Sequence, residues 1–264
     1  MKLLSLLLAL CMGGIVSAQQ MRYVYELSYS AGSALDTQRA SENMYLDIRK
    51  EGSIFRAENA VRRDSIMQRM RDTRNFDRQQ LQGLRSPFNF QIEKKYGSEK
   101  IVYQERIGRD LYQYEEDRPI TWQIHSETKK IGDYLAQKAS TEFGGRHWDA
   151  WFTADVPVFD GPYKFSGLPG LIIKVEDREG KYSFDLKEIR TSVEAGSADS
   201  PTFIPLKRAA FEAQKARFIS DPQAFMGPMR RTGPQTGSPG GRMGGVRMQN
   251  DGSTAVNQLE IPEK

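Results

Sequence analysis

Apolar and polar residues alternate with a period of two along much of the first 190 positions, which is the signature of half-buried strands. Residues 44–50 place Met44, Leu46 and Ile48 on one face and Tyr45, Asp47 and Arg49 on the other. The pattern returns in Phe88, Phe90, Ile92, Lys94 and Tyr96, in residues 100–107 with Ile101, Tyr103 and Ile107 on one side, and in residues 181–189 with Tyr182, Phe184 and Leu186. Shorter runs predict strands at 22–30, 53–58, 111–115, 121–127, 133–142, 146–153 and 171–176. Glycines punctuate them. Gly144 and Gly145 in particular, between two alternating runs, spell a hairpin, because glycine tolerates the positive φ such turns require. About eleven short strands on tight turns argue for an antiparallel meander and against βαβ units.

Two stretches break the alternation. Residues 60–84 are polar with Ile66, Met70, Leu81 and Leu84 as sparse apolar points, and residues 206–219 are alanine-rich around Phe211 and Phe218; both predict helices. The expected fold is mainly β, a β-rich α+β protein: a curved antiparallel sheet or half-barrel of about eleven strands, plugged or flanked by two helices. By analogy, the order and lengths are similar to LolA-like half-barrels of periplasmic lipoprotein carriers, a likeness that carries no function of its own. From residue 226 onward glycine, proline, methionine, arginine and serine replace the alternation. Such composition cannot bury a core. The organisation expected is a signal peptide at 1–18, a single β-rich domain at 19–225 and a flexible tail at 226–264, in which Leu259, Glu260 and Ile261 form a short docking element.

The first eighteen residues carry Lys2, an apolar run from Leu3 to Leu10, and Val16-Ser17-Ala18, whose small residues suit signal peptidase. The run is far below the ~20 residues of a membrane span. Export to the periplasm or outer-membrane surface is expected, with Gln19 as the mature start and no transmembrane span in the mature chain. Cys11 raises lipidation as an alternative, against which Leu10 stands where a small residue is wanted. Cys11 is the single cysteine, so the mature chain would hold no disulfide, zinc-thiolate site or cysteine nucleophile. The formal net charge of +4 falls to +3 without Lys2. Its basic clusters, such as Arg62, Arg63, Arg69 and Arg71, are interleaved with Asp64 and Asp72, as on a solvated helix face, and no nucleic acid is expected as a partner.

Residues 161–177 read GPYKFSGLPGLIIKVED. Pro169 and Gly170 suit the two central positions of a type II turn, the glycine supplying positive φ. The spelling Gly167-Leu168-Pro169-Gly170-Leu171-Ile172, preceded by Gly161-Pro162 and by Arg146 and Trp151 in GRHWDAWFTADVPV, resembles the secreted GLPGLI family of Gram-negative bacteria. The resemblance covers roughly residues 23–189. It implies an exported, cofactor-free protein without a defined reaction, whose motif residues shape backbone or bind, working beside an outer-membrane receptor or holding an apolar ligand. Ala136 stands where the family commonly has a cysteine.

Candidate chemistry is thin. His147 and Asp149 lie two apart on a predicted strand and so share a face, with Thr153 further along and Ser166 in the following loop; they are the residues an exported hydrolase would use. No G-x-S-x-G, H-E-x-x-H or S-x-x-K motif accompanies them. Met226, Met229, Met243 and Met248 are soft thioethers that would favour reduced copper, though their spacing is irregular. Glu115, Glu116, Asp117, Asp155 and Asp160 lie near aromatics, but carboxylate separation, which decides a glycosidase, is invisible in sequence. Trp148 and Trp151 have opposite parity, so at most one faces the core directly and the other meets solvent, a ligand or a covering loop. The reading taken forward is a binding or accessory module, not an enzyme; the alternatives are the hydrolase and a copper-binding tail.

Overall fold

Nearly every alternating run becomes a strand. The computed structural model describes residues 20–30, 39–98, 100–192, 201–225 and 259–261 of the 264. Strands β1 (Gln20–Ser30), β2 (Arg39–Arg49), β3 (Gly52–Ala57), β4 (Phe90–Lys95), β5 (Lys100–Ile107) and β6 (Asp110–Glu115) form one antiparallel meander. Strands β7 (Gln123–Ile131), β8 (Tyr134–Phe143), β9 (Arg146–Thr153), β10 (Leu171–Asp177) and β11 (Tyr182–Ser192) form a second. The two meanders meet where β1 pairs with β11, from Gln20 opposite Ser192 to Tyr29 opposite Tyr182. A twelfth strand, β12 (Ile204–Pro205), adds to β6 in parallel. Two residues leave no alternation to read, which is why the sequence predicts eleven strands and a purely antiparallel sheet. Among the described residues these make one twelve-stranded mixed sheet of order β12-β6-β5-β4-β3-β2-β1-β11-β10-β9-β8-β7.

The chain's own length demands that this sheet curve. Strands β6 and β7 lie ten positions apart in the order, which is ~48 Å across a flat sheet at ~4.8 Å per strand. Only residues 116–122 connect them, and that crossing reaches at most ~27 Å. The sheet therefore curls toward closure, stays open, and is bridged by this crossing segment. Its inner face buries Tyr25, Leu27, Met44, Leu46, Phe55, Ile92, Trp148 and Phe184.

Helix α1 (Glu58–Thr73) follows β3 directly and ends where Arg74 takes a left-handed conformation, φ 53°. It starts two residues earlier and ends eleven residues earlier than the sequence predicts; a separate 3₁₀ turn, Arg78–Leu81, follows, capped by the Asp77 side chain. Helix α2 (Arg208–Ser220) buries Phe211 against Tyr103 and Tyr114, ring centroids 5.5 and 5.0 Å apart, and so covers β5 and β6. Strand β7 starts two residues later than expected and breaks register between Ile124 and Thr128. Among the described residues no helix is long and apolar enough to cross a membrane. Residues 1–18 and 226–258, where the signal peptide and most of the tail are expected, lie outside the described residues.

Candidate functional site

Two buried lysines organise the loop between β9 and β10, which fills the concave face. Lys94 on β4 donates to the Asp160 carboxylate and to the carbonyls of Gly161 (2.7 Å) and Phe165 (3.0 Å). An ammonium has three N–H donors, and all three are used. Burial pulls the Lys94 ammonium below its ordinary value while Asp160 opposes the fall. Tyr96 donates to the second Asp160 oxygen (3.2 Å), Trp122 Nε1 to Ser166 O (2.8 Å) and Tyr25 to Ile172 O (2.7 Å). Phe165 sits beneath, 5.0 Å from Trp148 and 5.9 Å from Trp122 by ring centroid.

The second lysine is Lys164, whose side chain is 0% exposed. Its Nζ donates to Glu116 Oε2 (2.6 Å), Glu260 Oε1 (2.5 Å) and Tyr114 Oη (2.8 Å), again three donors for three acceptors. The rings of Tyr103, Tyr114, Phe143 and Tyr163 surround it, centroids 5.1 to 5.5 Å away, within the range of cation–π attraction. Arg118, in the crossing segment, forks onto Glu116 (Nε to Oε1 2.7 Å, Nη2 to Oε2 2.9 Å) and reaches Glu260 Oε2 (2.5 Å). Tyr163 donates its hydroxyl to Glu260 Oε1. It does so from φ 55°, a conformation costly for a bulky residue and held only where surroundings enforce it.

Glu260 thus meets Lys164, Arg118 and Tyr163, while Ile261 N–H donates to Gly144 O (2.8 Å) and Leu259 is buried. Burial alone would raise the Glu260 carboxyl, but the charges of Lys164 and Arg118 outweigh it and hold it below the ordinary carboxylate value. Glu116 behaves alike: burial raises it, and Arg118 and Lys164 bring it down to about 2. Lys164 and Arg118 thus face Glu116 and Glu260, and Arg208, itself held by Asp117 and Glu212, adds a third cation 3.8 Å from Glu116. Gly144 and Gly145 form the two-residue turn of the β8–β9 hairpin with φ 59° and 73°, and Cβ atoms there would strike Glu260 and Ile261 at 2.6 and 2.9 Å. Bare backbone at this turn is what lets the C-terminal segment lie down.

The remaining motif residues build backbone around this site. Arg146 is buried against Asp177 (2.9 Å) at the base of the hairpin. Gly161 lies so close to Ile172 that a Cβ would come within 2.7 Å. Pro162 O accepts from Phe165 N (3.1 Å), and Gly167 N, at φ 86°, reaches Phe159 O (3.4 Å). Leu168, Leu171 and Ile172 are core. At Pro169 the turn is not type II: Gly170 N–H donates to Leu168 O (2.8 Å), a three-residue γ-turn centred on the proline. Gly170 does take positive φ, 148°, and a Cβ there would lie 2.0 Å from Thr153 O. The tight approach to β9, invisible in sequence, selects the smaller turn.

His147 and Asp149 share the face of β9 turned away from the core, yet they engage different partners. His147 Nδ1 is 3.2 Å from Glu142 and exposed, whereas Asp149 meets Arg178 (3.2 Å) and Lys138 (3.6 Å). Neither tryptophan of the pair is exposed: Trp148 is 1% and Trp151 4% accessible. Trp151 points outward, but Lys129 Nζ sits 3.7 Å above its ring and Lys138 5.9 Å away, so lysine stems cover it. Met226, Met229, Met243 and Met248 lie outside the described residues, and among the described residues no group of three or more His, Cys, Asp or Glu could hold a metal. The sequence reading missed Lys164, Arg118 and Glu116 as a unit. In sequence Glu116 is one of several acids near aromatics, and nothing in a linear pattern pairs it with residue 164.

Residues 145–174, from the hairpin turn to mid-β10, match the model of a family described as "Protein of unknown function (Porph_ging)". No curated protein matches the chain. Two solved structures of PNGF-II, in C2 and P21 space groups, resemble it with TM-scores of 0.53 and 0.52 at 14% and 15% identity. Each likeness covers 76% of this chain, which spans about a third of those chains (33% and 34%). At that identity the likeness shows the β-rich fold alone.

Proposed function

We propose that this chain is an exported binding or accessory module of the periplasm or cell surface, of the GLPGLI type, and that its recognition site is the cradle around Glu260. One observation carries the reading: a carboxylate enclosed by Lys164, Arg118 and Tyr163, with every donor of the buried lysine engaged. Pre-aimed, desolvated donors of this kind bind an anion strongly and specifically. Nothing in the cradle is a nucleophile poised beside a base, so its chemistry is holding. The leader-like pattern of residues 1–18 supports export.

The test is made in cells. A photo-crosslinking residue replaces the exposed Pro119, beside the cradle, and the chain is followed in envelope fractions. The reading expects Gln19 as the N-terminus of the fractionated protein and a discrete adduct with an envelope protein, lost in the Arg118→Gln variant. Retention in the cytoplasm, or no adduct from a fully exported chain, contradicts it.

A further inference from the structure

All five groups that make the cradle, Tyr114, Glu116, Arg118, Tyr163 and Lys164, come from the β-rich domain, and none from the C-terminal end. The occupant brings little: one buried apolar side chain, one carboxylate and one backbone N–H, from Leu259, Glu260 and Ile261. It lies beyond 33 residues that separate it from Phe225, and it adds no strand to the sheet. Taken away, it would leave Lys164 and Arg118 only Glu116, which Arg208 also approaches at 3.8 Å, with one Lys164 donor and the strained Tyr163 hydroxyl lacking the acceptor they now share. A buried ammonium in that state demands an anion. An open hollow of about 370 Å³ adjoins the slot, with Arg118, Phe143, Arg146 and His147 in its wall, room for a segment longer than three residues.

We propose that the cradle is a receptor for a short acidic peptide segment of apolar-Glu-apolar pattern presented by a partner protein, and that Leu259, Glu260 and Ile261 occupy it as a tethered competitor. The proposal rests on reading the cradle as a recognition site and names its ligand class. The ligand supplies a glutamate carboxylate to Lys164, Arg118 and Tyr163, an apolar side chain to the Leu259 position, and a backbone N–H to Gly144 O. A tethered ligand competes at an effective concentration set by its linker, so a partner must exceed it or the tail must be drawn away.

The probe is a fluorescein-labelled peptide of residues 255–264 (AVNQLEIPEK), titrated by anisotropy into full-length wild type, Glu260→Ala and the double variant Arg118→Gln/Glu260→Ala. Saturable binding is expected to Glu260→Ala, at least tenfold weaker to wild type, where the tail competes, and at least tenfold weaker to the double variant. Equal binding to wild type and Glu260→Ala, or no binding to a folded Glu260→Ala chain, overturns the proposal. Should Glu260→Ala melt below the assay temperature, Glu260→Gln, which keeps the side-chain volume, takes its place with the same expectations. Failure here with an in-cell adduct at Pro119 retires the ligand assignment alone; a bound peptide without any adduct retires the envelope-module reading instead.

Discussion

Lys164 and Glu260 stand 96 residues apart in sequence and meet at 2.5 Å, ammonium to carboxylate. The lysine is wholly buried and the glutamate 15% exposed, so the pair is unequal: Lys164 cannot turn to water when its partner leaves, and Glu260 can. Buried charges are costly unless every donor finds an acceptor. The pairing therefore ties the stability of the β-rich domain to a segment that contributes almost nothing else to it.

Removing the two members should cost different amounts. Glu260→Ala leaves one donor of a buried ammonium unsatisfied and should lower stability by about 1–3 kcal/mol. Lys164→Ala removes the shortest ion-pair partner of the buried Glu116 carboxylate, leaving it Arg118 and, at 3.8 Å, Arg208, and should cost about 3–5 kcal/mol. Urea denaturation followed by circular dichroism measures both; equal, negligible losses would mean that the cradle is not desolvated as described.

Gly170 and Gly167 separate two reasons for glycine in the motif. Both have positive φ, but a Cβ at Gly167 meets nothing within 4 Å, while one at Gly170 meets Thr153 O at 2.0 Å. Gly167→Ala should cost about 1 kcal/mol and Gly170→Ala at least twice that, strain plus displaced backbone. Similar thermal midpoints for the two variants would remove the close-approach argument.

These glycines show what a sequence yields and what it withholds. Alternation identifies Met44, Leu46 and Ile48 as one face because a strand's period is local, and Gly144-Gly145 declares its hairpin for the same reason. The length of helix α1 is less legible, since Arg74 ends it in a left-handed conformation no propensity demands. The turn at Pro169 is set by Thr153 on another strand, and the burial of Trp151 by lysines on two neighbouring strands. The cradle is the extreme case. Glu116, Arg118, Lys164 and Glu260 each look like a solvated charge in sequence, and only the curling of the sheet brings them together. The apolar spacing of Leu259 and Ile261 marks a docking element in the sequence, but nothing local names the lysine and arginine that receive the carboxylate between them.

Stability should fall on both sides of mildly acidic pH. Burial raises the Glu42 carboxyl to about 7, its Ser86 hydrogen bond opposing and Glu58 adding to the rise; its Oε1 is buried with no hydrogen-bond partner among the described residues. A raised carboxylate binds its proton more tightly when folded, so its contribution is full below the unfolded value of about 4.3 and is lost as pH climbs to 7. Glu116 and Glu260 have the opposite sign: they stabilise above about 4.3 and lose that contribution as pH falls through their lowered folded-state values, which for Glu116 is about 2. Glu42→Gln should remove the alkaline-side loss, worth about 1–2 kcal/mol after solvent screening of a half-buried group, and leave the acid side unchanged. Denaturation midpoints from pH 3 to 8 decide it, and a wild-type curve flat between pH 5 and 7 contradicts the assignment.

On β9, the outward residues should divide by burial. Trp151→Ala should destabilise by about 3–5 kcal/mol, as truncation of a buried aromatic does, although its ring points away from the core. His147→Ala with Asp149→Ala should cost less than about 1 kcal/mol, the scale of solvent-accessible ion pairs. Loss of a biological activity in the histidine–aspartate variant, with its fold unchanged, would favour a hydrolytic role for that face.

The docking of the C-terminal segment through Glu260 is tested most directly by amide exchange at Ile261, whose N–H donates to Gly144 O at 2.8 Å. At neutral pH the account predicts that this single amide exchanges at least tenfold more slowly than an unstructured peptide of the same sequence, and that Glu260→Ala restores the unstructured rate while the amides of β8 and β9 stay protected. An Ile261 amide that exchanges at the unstructured rate in the wild-type chain, or that keeps its protection without the Glu260 carboxylate, would contradict it.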